Sequence, residues 1–345
     1  MVSRSAKEWP EGPSKARFAT ACDGCHDINR IRVGYTAEGW LSVVRMMQNV
    51  NAPVPAEEWG SMTDYLIKNF PERSRPPAAI IDGPVKADIR MWDVPTLGSR
   101  PHDPLAARDS SIWWTGQLAN KLGRLDPKTG AIREYTLKSP LTGPHGLAED
   151  KSGNIWFTVQ QANMIGRLDP ATGAIKLVTS PTPKSRPYGL KINAQGVPVV
   201  VEFGTNKIAT IDPQTMAIKE YALPNPAARP RRLAIDPDGM VWYADFSRGY
   251  LGRLDLATGD VKEWPSPSGA KSEPYGIVFT NKAVWYSESA AKPNTIVRFD
   301  PVTEKFQSWA IPGGGDIVRN MDVAPDGNPV IADSLTNQVG LVDIK

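Results

Sequence analysis

The sequence predicts a mainly β chain, with a small all-α domain at the N-terminus followed by a β-propeller. Three observations predict it. A turn signature built on Asp-Pro-x-Thr-Gly recurs every 43 to 45 residues, at Asp126, Asp169, Asp212, Asp255 and Asp300, with Asp343 closing the series. Each period carries four short β-like runs separated by turn residues. Helical spacing of apolar residues is confined to about the first 70 residues. Composition is ordinary for a globular chain, with 22% charged and 41% hydrophobic residues. The net charge of +3 comes from interspersed acids and bases, which argues against nucleic acid or an anionic membrane as partner. No apolar run reaches the roughly 20 residues of a membrane span.

The α domain is expected over residues 1–70. Residues 15–27 read as helical and lead into Cys22-Asp23-Gly24-Cys25-His26. Two thiols three apart, followed at once by histidine, are the attachment site of a c-type haem: each thiol bonds one vinyl group, and the imidazole ligates the iron from one face. Cys22 and Cys25 are the only cysteines of 345 residues, and His26 is one of three histidines. A redox Cys-x-x-Cys or half a zinc site are the alternatives, but zinc wants about four ligands and no second cysteine pair exists. One covalent haem c is therefore expected, and no structural disulfide.

Thr36 reads as an N-cap with Glu38 in the first turn. Trp40, Val43, Val44 and Met47 follow on one helix face, until Pro53 and Pro55 end the helix. A last helix begins near Pro55-Ala56-Glu57-Glu58, with Trp59, Met62, Leu66 and Ile67 on its apolar side. Met47 is the expected sixth iron ligand, with Met46 and Met62 as rivals; the alternative for each is core filling. Residues 12–70 resemble small class I-like cytochrome c domains fused to other modules. The resemblance implies electron transfer with a redox partner protein. Covalent haem attachment implies maturation outside the cytoplasm, hence a periplasmic chain whose signal peptide has been removed, since Met1–Lys7 carries no apolar signal segment.

Residues 71–86, opening Pro71-Glu72-Arg73-Ser74-Arg75-Pro76-Pro77, are expected to be a stiff proline-rich linker. The propeller is expected over 87–345. Pro-x-Thr-Gly supplies one fixed φ and one residue tolerant of positive φ. Aromatic pairs mark the second run of the repeats: Trp113-Trp114, Trp156-Phe157, Trp242-Tyr243 and Trp285-Tyr286. Four strands per repeat of this length is the pattern of a propeller blade; a solenoid, the alternative, needs polar caps. The stretch near 87–95 contains Ile89-Arg90-Met91-Trp92, which stands 43 residues before the fourth strand Ile132-Arg133-Glu134-Tyr135. The chain ends after a third strand. The first piece is thus expected to complete the last blade, and counting third strands gives six blades.

Two rings of residues are candidates for a site at the propeller mouth. One follows the repeated Arg/Gly/Glu-Pro and reads His102, His145, Tyr188, Arg231, Tyr275 and Arg319. The other follows the second strands and reads Gly116, Val159, Glu202, Asp245, Glu288 and Asp333. Its four carboxylates are expected to converge on the channel, where they would pair with Arg231, Arg232 and Arg319, bind a polar or anionic small molecule, or hold Mg²⁺ or Ca²⁺. Glu202, Arg231, Asp245, Glu288 and Arg319 are the catalytic candidates, without an assigned step.

Gly143-Pro144-His145-Gly146, Ile155-Trp156-Phe157-Thr158 and Ile165-Gly166-Arg167-Leu168 resemble the repeats of the virginiamycin B lyase (streptogramin lyase) family. The resemblance implies a propeller, seven-bladed in that family, and a carbon–oxygen lyase using histidines, a glutamate and magnesium. Here the later mouth positions hold Arg231 and Tyr275. Arginine takes no proton and a general base near neutral pH is usually histidine, which argues against that activity. A haem-dependent oxidoreductase acting on a polar substrate at the mouth is the remaining alternative to electron transfer with the propeller as docking platform.

Overall fold

The computed structural model describes residues 9–21, 31, 33–49, 51–106, 110–116, 118–119, 121–136, 146–159, 163–168 and 174–345. Cys22, Cys25, His26 and His145 lie outside the described residues, and so do the side chains of His102 and Val159.

Three α-helices open the chain: α1 (Lys15–Ala21), α2 (Ala37–Asn49) and α3 (Trp59–Asn69), the last entered through a 3-10 turn at Ala56–Glu58. Thr36 caps α2 as expected, its Oγ1 accepting the Gly39 N–H at 3.1 Å. Trp9, Phe18, Trp40, Val44, Met62, Tyr65, Leu66 and Phe70 form the core between the helices. The Trp40 indole N–H donates to the Phe70 carbonyl at 2.7 Å, tying α2 to the end of α3.

On α2 the buried set differs from the expected one. Trp40, Val44 and Met46 are buried, whereas Val43 and Met47 are half-buried. The cause is tertiary. The loop Leu97-Gly98 lies on α2, with the Asn49 amide donating to both carbonyls at 3.1 and 3.2 Å. That loop comes so close to the Met46 backbone that a Cβ on Gly98 would lie 2.7 Å from the Met46 nitrogen.

The proline-rich stretch is not a free spacer. Arg75 pairs with Asp316 at 3.0 Å, and the Ile81 N–H donates to Ser308 Oγ at 3.1 Å. The stretch therefore runs along the sheet that holds Ser308.

From Ala87 onward the fold is mainly β, and the described residues form six four-stranded antiparallel sheets in a propeller-like arrangement. The strand Ala87–Asp93 pairs antiparallel with the final strand Gln338–Ile344, so the first and last strands share a sheet, as the 43-residue offset predicts. Inner strands pack side by side: Pro187–Ile192 against Pro230–Ile235, that against Pro274–Thr280, then Val318–Val323, then Pro101–Ala106. These inner strands approach closely. A Cβ on Gly189 would meet the Arg231 carbonyl at 2.9 Å, which is why glycine follows Tyr188.

Second strands carry the core aromatics, with Trp114, Trp156, Trp242 and Trp285 all buried. A recurrent turn orients two of them: Asp150 and Asp236 accept the Trp156 and Trp242 indole N–H at 2.9 and 2.8 Å. Tyr243 lies flat on Gly252 of the next strand, where an added Cβ would sit 2.0 Å from Cζ. The Gly-Arg element of the repeat is therefore a packing requirement.

Candidate functional site

The carboxylates of the second ring share one position in their sheets. Each carboxylate of the second ring ends a second strand and faces the first residue of its inner strand: Glu202 opposite Pro187, Asp245 opposite Pro230, Glu288 opposite Pro274, Asp333 opposite Val318. All four are fully buried.

Each has a local partner, although Glu202 Oε2 stays buried without one. Glu288 accepts from Ser266 Oγ at 2.6 Å, from Ser268 N and Oγ at 2.8 and 2.6 Å, and from Thr295 Oγ1 at 2.6 Å. Glu202 accepts from Ser180. Asp245 takes the Arg229 N–H at 2.9 Å and pairs with Arg248 at 2.5 Å. Asp333 takes the Asp316 N–H at 2.8 Å, and burial pushes its carboxyl up to about 6. These groups pin the loops between strands. Arg231 and Arg319 form no ion pair with them among the described residues, where no three His, Cys, Asp or Glu side chains come together either.

Arginines and tyrosines meet at the mouth instead. The Arg231 guanidinium lies 4.0 Å from the ring centres of both Phe246 and Tyr275, 4.7 Å from Phe203 and 5.4 Å from Tyr188. Such an aromatic cage offsets the loss of water around a cation. Arg232 stands over Tyr188 at 5.2 Å. The Tyr188 and Tyr275 hydroxyls bond each other. Burial together with the Tyr275 charge pushes Tyr188 up to about 12. Burial would also raise Tyr275, but Arg231, Arg319 and Arg232 outweigh it and bring that phenol down to about 8.

Beside this cluster lies a cavity of about 300 Å³ shared by the helices and the mouth. Phe18, Trp40, Val44 and Leu66 give its apolar wall; Met46, Met47 and Met62 all line it; Arg100 and Arg319 reach it from the propeller. Ala21 and Ile31, the described residues flanking 22–30, both line it as well. Tyr35 stands at the junction, its phenol raised by burial against the lowering effect of Arg319. A groove of about 680 Å³ runs from Tyr35 over Phe203 and Phe246, edged by Arg73, Arg75, Arg229 and Lys271.

Arg100 is the residue that sequence reasoning missed. Arg100 precedes Pro101 and so stands outside the ring that follows the repeated proline. The residue before the inner strand is held at positive φ in four sheets, Arg100 at 54°, Arg186 at 53°, Glu273 at 51° and Ile317 at 65°, which their residue types do not announce.

Six four-stranded antiparallel sheets of this kind define a propeller-like protein. The profile of the virginiamycin B lyase family matches residues 80–299, and the chain belongs to that family. The virginiamycin B lyase of Staphylococcus aureus is similar in fold: it is 22% identical over 75% of this chain and 99% of its own, with a TM-score of 0.54. A catalytically inactive form of that enzyme, a histidine-to-alanine variant with quinupristin, matches over 75% and 99% of the two chains at 22% identity and TM-score 0.52. A gluconolactonase of Xanthomonas campestris is 15% identical over 79% and 99% of the two chains, with a TM-score of 0.55. None of the curated proteins matches the chain.

Proposed function

We propose that the chain is a periplasmic mono-haem c-type cytochrome whose haem is held in the cavity between the helices and the propeller mouth. The propeller closes as six blades and serves as the docking platform for a redox partner. One observation carries the reading. The only Cys-x-x-Cys-His stretch lies between Ala21 and Ile31, and both of those residues line an apolar cavity that three methionines also reach.

The residues present fit such a group. Phe18, Trp40, Val44 and Leu66 offer a water-excluding wall to a porphyrin face. Cys22 and Cys25 would hold it covalently and His26 would ligate the iron. Met47 would be the second protein ligand, because it lines the cavity yet remains half-buried, while Met46 and Met62 are already packed into the protein. When bound, the haem supplies one-electron redox chemistry, and burial and neighbouring charge tune its potential. The test is the absorption spectrum of the reduced protein in alkaline pyridine. It should be that of a porphyrin with both vinyl groups saturated by thioether bonds. A protohaem spectrum, or none, overturns the reading.

The cationic groove beside Tyr35 favours a second reading, an oxidoreductase acting on an anionic substrate there. Replacing Arg229 and Lys271 by glutamine separates the two. Loss of salt-sensitive electron exchange with a protein partner supports docking; loss of oxidation of a small anion with docking intact supports the enzyme. A streptogramin lyase is the third reading, and family membership supports its fold. At the described mouth positions, however, Tyr188, Arg231, Tyr275 and Arg319 offer a phenol pair and cations where an elimination wants an imidazole base.

A further inference from the structure

We propose that Arg100 and Arg319 are the anchors for the two haem propionates, so that the propeller mouth completes the haem site. The assignment rests on the haem reading above. Its warrant is a pair of orphaned charges. The Nε of each guanidinium is buried without a hydrogen-bond partner. Among the described residues neither side chain has an ion pair, whereas Arg75, Arg248, Arg298 and Arg17 all have carboxylates. Arg231 has its aromatic cage. Arg319 is only 9% exposed. Burial first, and then Arg319 beside it, lowers Arg100 to about 9.

Two like charges side by side, Arg319 nearly buried and Arg100 half-buried, are unfavourable unless an anion joins them. No carboxylate among the described residues does so, and the Tyr275 phenol that acts on both arginines becomes an anion only near pH 8. The two residues come from the beginning and end of the repeat, where Pro101–Ala106 packs against Val318–Val323. Both line the cavity that Phe18, Trp40, Val44 and Leu66 also line. The complementary ligand has a broad apolar body and two negative charges at one end. A porphyrin dicarboxylate has that form, and each guanidinium fork matches one carboxylate in a bidentate pair. A consequence for the fold is that haem insertion should tie the helices to the propeller, since each contributes half of the site.

The experiment uses the full chain matured with covalent haem. Arg100→Gln, Arg319→Gln, the double variant and the two lysine variants are compared by redox titration, with far-UV circular dichroism as the check on folding. A nearby cation disfavours the ferric charge, so each glutamine variant should lower the midpoint potential. The double variant should shift the ferrous-to-ferric ratio about tenfold at fixed poise, about 59 mV for one electron. Lysine keeps the charge without the fork and should recover most of the shift. Arg253→Gln, which removes a cation placed 5.7 Å from the Trp242 ring, should leave the potential alone. A haem-bearing double variant with the wild-type potential, or an equal shift from Arg253→Gln, overturns the assignment while the haem reading stands. A wild-type chain that takes up no covalent haem overturns both.

Discussion

Glu288 offers the sharpest test of whether the second ring is structural. Its carboxylate is fully buried and accepts four hydrogen bonds, three from hydroxyls and one from a backbone N–H. Bonds to a charged acceptor contribute roughly 1.5–3 kcal/mol each, against a desolvation cost of several kcal/mol for the carboxylate. Glu288→Ala removes the acceptor and leaves four donors at the junction of two sheets. By analogy with breaking a buried ionic group, the loss should be about 3–5 kcal/mol. Glu288→Gln keeps one oxygen but turns an NH₂ toward hydroxyl donors, and should cost about 1–3 kcal/mol, the penalty for buried polar groups left unpaired. Urea unfolding followed by far-UV circular dichroism measures both, and an unchanged slope of stability against urea would show that the denatured state is unaffected. A loss below about 1 kcal/mol for Glu288→Ala would refute the reasoning and return Glu288 to the catalytic candidates.

Other predictions follow from the mouth and the core. Tyr275 should titrate near pH 8, seen by NMR of tyrosine carrying ¹³C at the hydroxyl-bearing ring carbon, and that resonance should vanish in Tyr275→Phe. Its folded value lies below the free value of 10, so its contribution is absent below pH 8 and complete above pH 10, about 3 kcal/mol at 1.36 kcal/mol per unit. A wild-type stability difference between those limits that persists in Tyr275→Phe contradicts this. Gly189→Ala places a methyl 2.9 Å from the Arg231 carbonyl and should cost about 1–3 kcal/mol by overpacking, read in the same urea titration. Met47→Ala should abolish the weak near-infrared band of methionine-ligated ferric haem; survival of the band moves the ligand to Met46 or Met62.

The repeat made much of the propeller legible. The spacing of Asp126 through Asp343 fixed the strand order, and the offset of Ile89–Trp92 foretold its pairing with Gln338–Ile344. The cap at Thr36 and the starts of α2 and α3 were legible too, because capping and proline placement act locally. What depends on contacts between distant segments was not. Nothing near Met46 in the chain reveals that Leu97-Gly98 covers it. The carboxylates are legible from the repeat; their partners Ser266 and Ser268 lie 20 or more residues away, and the one hint of them is that Ser180 stands 22 residues before Glu202 as Ser266 does before Glu288. Arg319 was legible as a mouth residue, while its neighbour Arg100 comes from the other end of the repeat and only the packing of Pro101–Ala106 against Val318–Val323 brings them together.

The most direct test of the account is the intact mass of the chain after maturation in a host competent for c-type haem attachment. The account predicts the polypeptide plus one haem, with neither Cys22 nor Cys25 free to alkylation, and the haem retained after acid denaturation. A polypeptide of unmodified mass with two alkylatable thiols would contradict it.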